Sequence, residues 1–133
     1  MSDRIYRIDL HSEVTPPGAT VIVPQLVNSE VQATQTLVKV NGEPLLRVGD
    51  RFRCEHMPKV GAFAQPLPAG TGEGSLARAG QSLLKINGEL AVSQDGTNRS
   101  CSEGVQEMSN RATTLLGGRP LLKVNQAVIL LGR

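Results

Sequence analysis

The chain has 133 residues, a length that fits one domain able to bury its own core. Its net charge is +2, from 14 basic and 12 acidic residues spread along the chain, and no basic run marks a nucleic-acid footprint. With no Trp, one Tyr and two Phe, it lacks the side chains of aromatic-lined pockets and base-stacking platforms, and suits a thin β structure filled with Val, Leu, Ile and Ala.

Residues 4–10 alternate well enough for a first strand. The N-terminal MSDRIYRIDLHSE has no apolar signal core, so folding is expected in a reducing cytosol, where structural disulfides are rare. No apolar stretch approaches the roughly 18 residues of a membrane span. Ala19–Val23 is strongly strand-like, and Pro24 is expected to end it.

Self-similarity is the strongest feature that follows. Residues 37–45 read LVKVNGEPL, residues 83–91 read LLKINGELA and residues 121–129 read LLKVNQAVI. The shared asparagines are Asn41, Asn87 and Asn125, spaced 46 and 38 residues apart, with Lys39, Lys85 and Lys123 in register. Asn-Gly between aliphatic runs signals a two-residue hairpin, because a type I′ turn needs positive φ at both central residues. Asn41-Gly42 and Asn87-Gly88 meet that need. Asn125-Gln126 meets it half way, so the third hairpin is expected to use another turn or to be tied down by packing. The hairpin repeats lie near 35–54, 80–101 and 118–133 of a single domain.

The first repeat runs on through Val48-Gly49-Asp50, a strand end and tight turn, to Cys54. The second has Gln94-Asp95-Gly96 at the matching place and reaches Cys101. Cys54 lies 13 residues after Asn41 and Cys101 lies 14 after Asn87, so the two are read as matched. The third repeat is expected to lack such a tail. Residues 58–80, rich in Pro, Gly and Ala, read as an extended crossover. Its GTGEG has no following GKS/T or helix, which argues against a phosphate loop. Residues 102–113 are the best helix candidate, capped by Ser102, with Val105, Met108 and Ala112 on one face.

The two histidines fall in no catalytic motif, so no enzyme activity is expected. Cys54-Glu55-His56 is a C-x-H whose ends share a face on an extended strand, where both reach one ion. Cys101 and His11 complete a candidate zinc set. Against that stands the ordinary role of a lone Cys as a small buried hydrophobe.

VKVNGEPLLRVGDRFRC resembles the PAAR and PAAR-like proteins, through Val38, Asn41, Gly42, Pro44, Arg47, Gly49 and Asp50. The second repeat keeps Asn87 and Gly88 but replaces Gly-Asp by Asp95-Gly96, and the third keeps only the hairpin core around Asn125. The resemblance implies a mostly β cone of hairpins with a pseudo-threefold repeat and at most one or two short helices. It further implies a tip that caps the trimeric β-helical spike of a contractile injection system (type VI secretion or a phage tail-like particle). Such a tip binds one copy per trimer, touches the target membrane transiently, binds no nucleic acid and carries effector cargo in some relatives. A zinc ion held by His and Cys side chains near the vertex belongs to the same picture. This chain, with no room for a fused toxin, looks like a bare tip that leaves the cell as part of the particle. The competing reading is a small metal-stabilised β domain that binds a ligand or another protein.

Overall fold

A computed structural model describes residues 2–15, 19–54, 56–58, 73–100, 107–117 and 122–133, with the backbone alone at 11–15, 19–23, 25 and 56–58. The protein is mostly β. Long strands β1 (Arg4–Thr15) and β2 (Ala19–Gln32) pair antiparallel along the whole of β1, from Arg4 opposite Glu30 to Thr15 opposite Ala19. They are followed by β3 (Lys39–Val40), β4 (Glu43–Pro44), β5 (Arg51–Arg53), β6 (His56–Pro58), β7 (Glu73–Arg78), β8 (Lys85–Ile86), β9 (Glu89–Leu90), β10 (Thr97–Arg99) and β11 (Glu107–Ser109). A single turn of helix α1 (Asn110–Thr113) leads into β12 (Thr114–Leu115), and β13 (Lys123–Val124) and β14 (Ala127–Val128) end the fold.

Three hairpins, β3–β4, β8–β9 and β13–β14, form separate two-stranded sheets. In each, both central residues have positive φ: Asn41 50° and Gly42 81°, Asn87 52° and Gly88 84°, Asn125 51° and Gln126 68°. The third turn therefore has the same form as the others, and no different turn is used. The hairpin is closed as the other two are: the Ile129 amide donates to the Leu122 carbonyl, as Leu45 does to Val38 and Ala91 to Leu84. Such closure can hold a non-glycine residue in a left-handed conformation that costs it roughly 1–2 kcal/mol.

The strand that leaves each hairpin meets the other two around an axis. The Leu46 amide donates to the Leu130 carbonyl, Leu130 to Val92, and Val92 to Leu46, at 3.0, 2.9 and 2.9 Å. These residues each lie five positions after their turn asparagine. Single bridges flank the triangle in the same cyclic order: Arg47 with Ala91, Ser93 with Ile129 and Leu131 with Leu45. Three more bonds, Val48 to Leu90, Gln94 to Val128 and Gly132 to Pro44, repeat the relation. The pseudo-threefold is thus a closed hydrogen-bonded ring.

Alternation divides the core at this ring. Leu46, Val92 and Leu130 face one side and join Ile5, Val27, Val31, Phe52, Cys54 and Leu76. Leu45, Ala91, Ile129 and Leu131 face the other and pack with Ile86, Val40, Leu84, Leu122 and Val124 of the hairpin segments. The hairpins therefore form a layer over one end of the ring, here called the base. The other strands run away from the ring on the opposite side.

The expectation that the third repeat lacks a tail is corrected by this arrangement. After the first hairpin the chain turns through Arg47–Asp50 (Asp50 amide to Arg47 carbonyl, 3.1 Å) into β5. After the second it turns through Ser93–Gly96 (3.0 Å) into β10. After the third, the matching bond runs from the Asp3 amide to the Leu131 carbonyl at 3.0 Å, and β1 leads off from Asp3. The N-terminal strand supplies the missing tail, so three similar units stand in a circle, cut between the third hairpin and its outgoing strand.

The main sheet runs β11-β10-β7-β5-β2-β1-β12. Because β11, α1 and β12 are consecutive in the chain, residues 107–115 close the circle: β11 pairs with β10 and β12 with β1. Over the described part of the expected helix 102–113, only Asn110–Thr113 is therefore helical. Glu107–Ser109 are claimed by the ladder with β10, Met108 lies in that strand, Ala112 is exposed, and Ser109 caps the turn. Ser102 and Val105 lie outside the described residues.

Pro24 does not end its strand either. It sits in β2 opposite Leu10, one position beyond Gln25, the last β2 residue that pairs with β6, so on that side no ladder bond is forfeited there among the described residues. Gly74 of the GTGEG run is buried in β7 opposite Phe52, whose ring fills the space where a Cβ would stand. The rest of residues 58–80 up to Thr71-Gly72 lies outside the described residues, apart from Pro58.

Candidate functional site

The base is the candidate site. Each hairpin turns its −1 residue (Val40, Ile86 or Val124, counted from the asparagine) toward the core beneath it. The preceding residues, Lys39, Lys85 and Lys123, are exposed on the opposite face. The outcome is three lysines spaced around one axis. Two residues earlier, Leu37 and Leu83 are each 70% exposed, far more than the other large apolar side chains described.

A glutamine fixes the backbone at each leucine, buried Gln35 at the first and half-buried Gln81 at the second, a feature that the sequence reading missed. The Gln35 side-chain oxygen accepts the amides of Leu37 and Val38 at 2.8 and 3.0 Å, while its Nε2 donates to the carbonyls of Val38 and Leu45 at 3.0 and 2.8 Å. Gln81 repeats all four bonds with Leu83, Leu84 and Ala91. Each amide thus satisfies two donors and two acceptors, close to its full capacity. The signal was available: extending the repeat alignment upstream aligns Gln35-Thr36-Leu37 with Gln81-Ser82-Leu83. The third repeat has Arg119 there, outside the described residues.

The RVGD residues are explained by the same ring. The Asp50 carboxylate accepts the Arg47 amide at 2.8 Å and the Thr34 hydroxyl at 2.6 Å. The Arg47 guanidinium reaches the Ile86 carbonyl of the second hairpin at 3.0 Å and the Thr34 hydroxyl at 2.9 Å, and so ties two units together. Gly49, at φ 93°, turns the chain between them. In the third unit the Asp3 carboxylate accepts the Leu131 amide at 2.8 Å, as Asp50 does for Arg47.

On the other side of the ring, equivalent positions carry unlike residues. Two residues after the turn stand Phe52, Asn98 and Ile5, and four after it stand Cys54, Ser100 and Arg7, all buried. The structural counterpart of Cys54 is therefore Ser100 and not Cys101, which lies one residue further on and outside the described residues. Cys54 sits in the apolar cluster with Ile5, Val27 and Phe52. Arg7 and Asp9 form a fully buried ion pair at 2.9 Å. Ser100 donates to the same Asp9 oxygen at 2.6 Å, and Arg7 donates to the Asn98 side chain at 2.9 Å. Asn98 passes the network to Asn110 and Thr113 at 2.8 and 2.6 Å. Paired and hydrogen-bonded in this way, the buried charges are tolerated.

Of the candidate zinc ligands, Cys101 lies outside the described residues, and His11 and His56 are described by their backbone alone. The backbone of His56 pairs with Val27, which also faces Arg7, whereas His11 pairs with Val23, four residues further along β2. Among the described residues no group of three or more His, Cys, Asp or Glu side chains is arranged to hold a metal ion. Cys54 fits its place as a core residue, and the reading developed below needs no metal. No described helix is long and apolar enough to cross a membrane.

No protein-family model, curated protein or solved structure matches the chain.

Proposed function

We propose that this protein is the tip of a contractile injection spike, seated by its base on the end of a trimeric β-helical partner as one copy per trimer. The observation that carries this reading is the cyclic bonding of Leu46, Val92 and Leu130, which sets three similar hairpins around one axis within a single chain. A threefold-symmetric end offers three identical surfaces. One chain engages all of them only if it repeats its own surface three times, and this chain does so. The hairpins are two-stranded among the described residues, so each has an outer edge suited to strand addition.

The role is mechanical. The ring, the curled sheet whose end strands β11 and β12 are joined through α1, and the buried Arg7–Asp9 network tie the described strands into one cross-braced body. Such a body suits a point that meets a target membrane transiently, after assembly in the bacterial cytoplasm and delivery with its particle. The PAAR-like pattern of Asn41, Gly42, Arg47, Gly49 and Asp50 agrees with this role.

The test is capture of a trimeric β-helical spike protein from the same source by the tagged full-length protein. Co-purification supports the reading, and failure to capture that trimer under any salt condition sinks it.

A further inference from the structure

Scattered exposed leucines are ordinary on protein surfaces. Leu37 and Leu83 are not scattered: they occupy equivalent positions in two units, each is 70% exposed, and each follows a glutamine whose side chain accepts the leucine amide and holds the adjoining backbone through three further bonds. An exposed side chain on a rigid backbone loses little freedom on binding, which is the property of a preorganised anchor. An exposed lysine follows each leucine by two residues, Lys39 and Lys85. The third unit repeats the pair as Leu121 and Lys123, of which Lys123 is exposed.

Resting on the spike-tip reading, we propose that Leu37 and Leu83 are the binding anchors of the base. Each fills an apolar socket rimmed by a carboxylate that pairs with Lys39 or Lys85, and the trimer presents this socket once per subunit. The leucines supply affinity by burying apolar area at the centre of each contact. The lysines select for the acidic rim and speed docking. The two matched Leu–Lys pairs and the threefold repeat together define the partner's chemistry: apolar sockets with an acidic rim, related by a threefold axis. The clasp glutamine recurs in two units, and the third has Arg119 at that position, outside the described residues.

The experiment measures the Kd of the wild-type chain, Leu37→Asp/Leu83→Asp and Lys39→Glu/Lys85→Glu for the trimeric spike protein from the same source, at two salt concentrations. The leucine variant is expected to bind on the order of 100-fold more weakly with its melting temperature unchanged, because both sites are solvent-exposed. The lysine variant is expected to bind roughly tenfold more weakly and to lose the salt dependence of the wild type. If the aspartates lower the melting temperature, Leu37→Gln/Leu83→Gln gives the same reading without added charge. Wild-type binding with an unchanged Kd in the leucine variants overturns the anchor assignment and leaves the spike-tip reading standing. No wild-type binding overturns both. A dimer of the free chain that dissociates in the leucine variant also overturns the assignment, since a second copy then covers the leucines.

Discussion

Asp3 and Leu131 hold each other by a reciprocal pair of bonds: the Asp3 amide donates to the Leu131 carbonyl at 3.0 Å, and the Leu131 amide donates to the Asp3 carboxylate at 2.8 Å. Asp50 and Arg47 hold each other in the same way, at 3.1 and 2.8 Å. One pair is local in the chain and the other spans nearly its whole length, yet both make the same corner of the ring. Asp3→Ala should therefore cost about 1–3 kcal/mol, because it strips the buried Leu131 amide of its acceptor. Urea unfolding measures this, and an unchanged midpoint contradicts it.

Gln126 stands where the other two turns have glycine, with φ at 68°. Gln126→Gly should stabilise the protein by a few tenths to about 1 kcal/mol, the strain relieved exceeding the entropy that glycine adds to the unfolded chain. Gly42→Gln should destabilise by a similar amount. Thermal melts of the two variants, read together, check the sign in both directions.

Gln35→Ala and Gln81→Ala each remove four bonds to the backbone. Gln35 is the more buried, at 5% exposure. Its loss should cost about 2–3 kcal/mol, and that of Gln81 less, because water can reach the groups it leaves. Hydrogen exchange at the amides of Leu37 and Val38 should accelerate in the first variant, and at Leu83 and Leu84 in the second.

Glu107 accepts bonds from the Thr97 hydroxyl and from Arg78 and Arg99, which hold its carboxyl at about 2 against a usual 4.5. Its folded value lies below its unfolded one, so its contribution is complete above about pH 4.5 and disappears as pH falls toward 2. Relative to Glu107→Gln, the wild type should lose stability across that window and none between pH 6 and 8, as followed by urea midpoints.

The three hairpins were legible because each one is local: an aliphatic pair, a lysine and an asparagine turn carry their own physics. The ring was not, since no pattern within a repeat shows that Leu46, Val92 and Leu130 bond to one another. Nor was the role of the N-terminal strand, because a circle cut open places Asp3 as far from Leu131 in sequence as the chain allows. Counting to the nearest cysteine matched Cys54 with Cys101, whereas burial in the strand matches it with Ser100: a slip of one residue reverses the face. The helix expected over 102–113 gives way at Glu107–Ser109, which pair with β10 as a strand. The two clasp glutamines lay two residues upstream of the aligned repeat.

The central claim is that one chain, threefold in its bonding, caps one trimer. Native mass spectrometry of the purified complex with the trimeric spike protein tests it most directly. The account predicts a mass of three spike subunits and one copy of this chain. Three copies per trimer, or no complex at all, would contradict it.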